Sequence, residues 1–156
     1  MNNRRTLTLS IAVFGLLVAA REASFSQFMI NVQGPSPSLT IATGTVSAPN
    51  PVVNTSSRLR YRRWLIPTKV TVSSVCAGQS FNLRVVATGA TIGIAAPEVS
   101  LTSGMPEADF ITGILPGFLT QGVATLRYTA SATFQQGNST DFANDVHTVT
   151  YTIVAQ

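Results

Sequence analysis

Four arginines, Arg58, Arg60, Arg62 and Arg63, fall in one short stretch that also holds Tyr61 and the only tryptophan, Trp64. On an extended strand alternate residues share a face, so Arg58, Arg60 and Arg62 would recur at roughly 6.6–6.8 Å on one side, with Leu59 and Tyr61 opposite. Guanidinium groups at that interval can grip phosphates or sulfates through paired N–H donors, and Tyr61 or Trp64 could stack beside them. Arg58, Arg60, Arg62, Arg63, Tyr61 and Trp64 are therefore the candidate anion-binding residues. The partner such a set would take is an anionic polymer, a polysaccharide or a nucleic acid. The competing reading is a solvated strand face whose arginines discourage edge-to-edge pairing.

The rest of the chain is thin in reactive groups. There is one histidine, His147, and one cysteine, Cys76. A multi-histidine metal centre and an intrachain disulfide are both excluded. Cys76 shares parity with Val70 and Val72, which reads as a small buried hydrophobe rather than a thiolate nucleophile. His147 shares parity with Val149, Tyr151 and Ile153, a strand-end residue at the rim of a core. Glu107 and Asp109 are the closest carboxylates in sequence, in a loop with no aromatic sugar platform nearby, so a hydrolytic pair is not expected. Gln136–Asp145 is rich in oxygen ligands, but its spacing matches no EF-hand, and Asn, Ser and Asp are ordinary turn formers. Asn54-Thr-Ser56 and Asn138-Ser-Thr140 fit the glycosylation sequon, which matters only on a eukaryotic secretory route. The expectation is a non-enzymatic chain with no cofactor and no metal.

The elements that must carry these residues begin with an address. Arg4 and Arg5 precede an apolar run from Leu7 to Ala20, shorter than the roughly 20 residues a spanning helix needs. This fits a signal peptide over residues 1–26, cut after Ser26, with Ala20 the alternative. A twin-arginine signal matches the surrounding residues poorly, and no cysteine stands where a lipoprotein would need one. The mature chain would be secreted or held at the cell surface, with no stable transmembrane segment. The leader takes Arg4, Arg5, Arg21 and Glu22 with it, half of the formal +4.

At 156 residues the chain can bury one core unaided, and 45% hydrophobic against 10% charged excludes a disordered tail. Alternation with period two recurs in 69–76, 79–88, 122–134 and 147–155, with threonine on the polar side. Shorter strands are expected over 91–95 and 98–102, and 110–119 reads as a strand end entering a covered loop. Residues 27–57 are broken by Pro35, Pro37, Pro49 and Pro51, with an edge strand over 38–46. These runs predict an all-β, antiparallel two-sheet sandwich over 58–156, preceded by that extension.

Residues 122–134 and 147–155 look like the closing hairpin of an immunoglobulin-like sandwich. The run Val75–Leu83 resembles an early strand pair of such domains, with Tyr128 in the place of their corner tyrosine. The leader, the proline-broken extension and the terminal strand Val149-Thr-Tyr151-Thr-Ile153 also resemble secreted bacterial fimbrial subunits and spore-coat-U-type domains. That resemblance implies a sandwich completed by a neighbour's strand, although the lone Cys76 departs from the disulfide such subunits usually carry. The function expected is an exported structural or interaction protein of the cell surface, assembling with itself or other surface proteins as a fimbria-like or coat-like subunit. The alternative is a binding module for anionic glycan or nucleic acid through Arg58–Trp64.

Overall fold

Strands form where one parity is apolar and the other polar, because each then has a face to bury and a face to leave wet. The computed structural model describes residues 7–8, 29–45, 48–62, 65–117, 120–133, 135–136 and 144–156. Its strands are β1 (Leu7–Thr8), β2 (Met29–Gln33), β3 (Ser38–Leu39), β4 (Val52–Arg62), β5 (Thr68–Val75) and β6 (Asn82–Thr88). They continue as β7 (Ile94–Ala95), β8 (Val99–Leu101), β9 (Ala108–Ile114), β10 (Gln121–Ser131) and β11 (Thr148–Ala155).

Two antiparallel sheets face each other, one of five strands in the order β2-β4-β10-β6-β8 and one of four in the order β11-β5-β9-β7. The all-β two-sheet sandwich is therefore the fold of this chain. Between them lie Leu59 and Tyr61 from β4, Leu126 and Tyr128 from β10, and Leu83 and Val85 from β6. The other sheet contributes Val70, Val72, Phe110, Ile111, Val149 and Tyr151. Phe110 and Ile111 are consecutive yet both buried, because the β5–β9 register slips between Val70↔Ile111 and Thr71↔Asp109 and leaves Phe110 as an extra residue. The rings of Phe110 and Tyr151 pack with centroids 5.1 Å apart.

From β4 onward every strand lies in the sheet opposite to its predecessor. This overturns the expected closing hairpin. β10 runs between β4 and β6, whereas β11 pairs with β5 at the edge of the other sheet. Tyr128 is not a corner tyrosine either. Its hydroxyl meets that of Tyr151 at 2.8 Å, a hydrogen bond from one sheet to the other, instead of returning to nearby backbone.

The edge strand expected over 38–46 is only the two residues of β3, which pair with β1. The edge of the five-stranded sheet is β2, and β4 runs unbroken through positions 57 and 58. Leu115, expected under cover, is exposed. Gly122 of β10 lies directly opposite Tyr61, whose ring occupies the space a side chain would need. Among the described residues no helix is long and apolar enough to cross a membrane.

Candidate functional site

Two places gather functional groups. One is the outer face of the five-stranded sheet. Arg58 lies between Gln33 of β2 and Thr125 of β10; Arg60 lies between Asn31 and Val123; Arg62 lies between Met29 and Gln121. Directly opposed residues share a face, so Arg58, Arg60 and Arg62 share one surface with Asn31, Gln33, Gln121, Val123 and Thr125 while Leu59 and Tyr61 turn inward. Two arginines from other strands join it. Arg127 of β10 and Arg84 of β6 occupy the same outward parity, as Thr125↔Thr88, Arg127↔Val86 and Thr129↔Arg84 show. Arg84 is ion-paired with Glu98 at 3.5 Å. Among the described residues no carboxylate pairs with Arg58, Arg60, Arg62 or Arg127. Arg62 Nε is shielded from solvent and has no hydrogen-bond partner.

Tyr61 does not belong to this surface. It is 2% exposed, and its hydroxyl donates to the Ile92 carbonyl oxygen. Burial holds its ionisation above the ordinary phenol value, with the Ile92 contact acting the other way. A stacking role for Tyr61 is thus corrected, since the ring is on the wrong side of the sheet. Arg63 and Trp64 lie outside the described residues.

The four-stranded sheet treats charge differently. Lys69 on β5 is ion-paired with Asp109 on β9 at 2.6 Å, and Glu107 Oε2 accepts from Thr71 Oγ1 at 2.9 Å. These two acids, the hydrolytic pair weighed from sequence, are engaged by neighbouring side chains on that sheet.

The second place is buried. Cys76 Sγ, a carboxylate oxygen of Asp145 and a ring nitrogen of His147 lie within 4.8 Å of one another, and all three residues are buried. The Asp145 carboxylate accepts the backbone N–H groups of Ser80, at 3.0 and 2.9 Å to its two oxygens, and of Phe81, at 2.7 Å. His147 Nδ1 is 3.1 Å from Ser74 Oγ. Its Nε2 is 4.0 Å from Asp145 Oδ2, too far for a hydrogen bond, and has no partner among the described residues. Burial pulls His147 below its ordinary value, against the upward pull of Asp145. Burial also pushes the Cys76 thiol up, Asp145 adds to this, and the Val146 backbone N–H opposes it. A nucleophilic cysteine requires the reverse shift.

Sequence parity placed Cys76 and His147 each on an inner face but did not bring them together. The signal lay in the β5–β11 register, where Thr148 faces Val75 and Val149 faces Ser74. Carried one residue further, that register sets His147 against Cys76. Pairing 147–155 with 122–134 hid the juxtaposition. Of the oxygen-rich stretch 136–145, Asp145 is committed to Ser80 and Phe81, and the Gln136 side-chain amide donates to the Ser80 carbonyl oxygen. Positions 137–143 lie outside the described residues.

No family model matches this sequence, and no curated protein or solved structure is significantly similar to it.

Proposed function

We propose that this chain is an exported, non-enzymatic interaction protein of the cell surface whose five-stranded sheet binds an anionic polysaccharide. The observation that carries the reading is the outward face of β4 and its neighbours, where Arg58, Arg60, Arg62, Arg84 and Arg127 meet the single carboxylate of Glu98. A flat array of guanidinium forks, flanked by Asn31, Gln33 and Thr125, suits a polymer that repeats sulfate or carboxylate groups along its length. Tyr61 faces the core, which removes one base-stacking platform and favours the glycan over single-stranded nucleic acid. Export rests on the leader over residues 1–26, whose β1 pairs with β3 outside the five- and four-stranded sheets.

Heparin affinity measured against salt concentration tests the reading. Binding is expected at low salt and is expected to fall steeply as salt rises. The slope of log K on log salt should shrink by about one for each arginine replaced. Affinity that survives Arg60→Ala with Arg62→Ala removes the proposal, and tighter binding to DNA of equal charge transfers it to nucleic acid.

A fimbria-like or coat-like subunit is the second reading. It is supported by β2, an N-terminal strand at a sheet edge that pairs only with β4 and could equally be supplied by a neighbour. Electron microscopy of fractions separated by size tests it, and a monodisperse monomer counts against assembly.

A further inference from the structure

We propose that Cys76, Asp145 and His147 form a binding site for a single Zn(II) ion at the end of the β5–β11 pair. The donor set is one thiolate, one imidazole and one carboxylate, the sulfur, nitrogen and oxygen ligands that Zn(II) accepts. Their ligand atoms already lie within 4.8 Å of one another in a buried place. Around a tetrahedral ion with bonds of roughly 2.0–2.3 Å, neighbouring donors stand about 3.3–3.6 Å apart, so closure needs a contraction of about an ångström. Three protein ligands leave the fourth position to water.

The independent observation is His147 Nε2. The side chain is 0% exposed, yet among the described residues this nitrogen has no hydrogen-bond partner, and it lies 4.0 Å from Asp145 Oδ2. A buried polar atom left alone is destabilising, and a cation on its lone pair removes that penalty. The supporting contacts are those a metal site uses to orient its ligands. Ser74 Oγ lies 3.1 Å from Nδ1, and in the tautomer whose Nδ1–H donates to it the Nε2 lone pair is free to coordinate. Backbone N–H groups of Ser80 and Phe81 fix the carboxylate without exhausting its lone pairs. On binding, the S–H bond of Cys76 breaks, sulfur keeps the electron pair and forms the S–Zn bond, and the proton passes to buffer. His147 and Asp145 each add an electron pair to the ion.

The test is a titration of tag-free, chelator-treated protein with Zn(II), and separately with Co(II). One equivalent should bind, calorimetry in two buffers should report about one proton released per ion, and the Co(II) form should show near-ultraviolet thiolate charge-transfer absorption. Cys76→Ala should abolish that absorption, and Ser74→Ala, which replaces no metal ligand but removes the contact that orients His147, should weaken Zn(II) by about 10–100-fold. His147→Gln should also lose binding; if it does not fold, Cys76→Ala decides alone. Failure to saturate at one equivalent, or equal affinity in Cys76→Ala, overturns the site and leaves the three residues as a buried polar cluster.

Discussion

From Ser57 to Arg62 in β4, beyond a register slip, and throughout β10, one parity lies inside the sandwich and the other outside, and the two parities follow different rules. Inside, Leu59, Tyr61, Leu126 and Tyr128 are buried, and both tyrosine hydroxyls have found partners. Outside, Arg58, Arg60 and Arg127 stand beside threonine, asparagine and glutamine with no matching acid. A polar atom in the core must be partnered because water cannot reach it. A charge on the surface is solvated whether or not it is paired, so like charges can collect there at little cost to folding. Stability is therefore carried by one parity, and charge is free to accumulate on the other.

Leu126→Ala is expected to show the largest effect, a loss of about 2–5 kcal/mol in chemical denaturation, with heparin affinity of the folded fraction unchanged. A change in affinity would mean the two parities are not separable. Next, Tyr128→Phe should cost about 1–3 kcal/mol because it strands the Tyr151 hydroxyl, whereas Tyr128→Phe with Tyr151→Phe should recover most of that.

The same pair sets an alkaline limit. Burial raises both tyrosines above the ordinary phenol value near 10. The folded chain therefore keeps protons that the unfolded chain gives up. Their contribution is complete below pH 10 and is lost as pH rises above it toward the raised folded values. Denaturation curves from pH 9 to 11.5 should show that decline in the natural chain, and the double phenylalanine variant should keep only the share due to Tyr61 and Cys76.

On the outer parity, Arg60→Ala with Arg62→Ala should shift stability by no more than about 0.5 kcal/mol while lowering heparin affinity and its salt slope together. The smallest effect on binding, none, is expected on the other sheet. Lys69→Ala breaks the ion pair with Asp109, whose side chains are 30% and 50% exposed, and should cost about 0–1 kcal/mol without touching heparin binding. A matched loss of affinity there would show that charge on both sheets recruits the ligand.

The strands themselves were largely legible because alternation is local. The inward parity of 69–76, 79–88 and 122–134 could be read residue by residue, and it also put Tyr61 opposite the arginines. Partner choice was not legible, since nothing in 122–134 or 147–155 says which sheet each joins. That gap decided the sites. The arginine face extends to Arg84 and Arg127 only once β6 and β10 are known to lie beside β4. Cys76 meets His147 only once β11 is known to lie beside β5. The slip at Phe110 shows the second limit, because an extra residue breaks the period that reading relies on.

The alternation of successive strands between sheets also dictates the order of assembly. A chain emerging from its N-terminus, from a ribosome or an export channel, cannot zip neighbouring segments into hairpins once β4 has appeared. β4 waits for β10 to fill the centre of its sheet, and β5 waits for β9 and finally for β11. Closing such distant pairs carries an entropic cost that local pairing does not, and folding is slow in proportion. The two sheets are therefore completed only when nearly the last residues are free, which leaves apolar strands unprotected meanwhile.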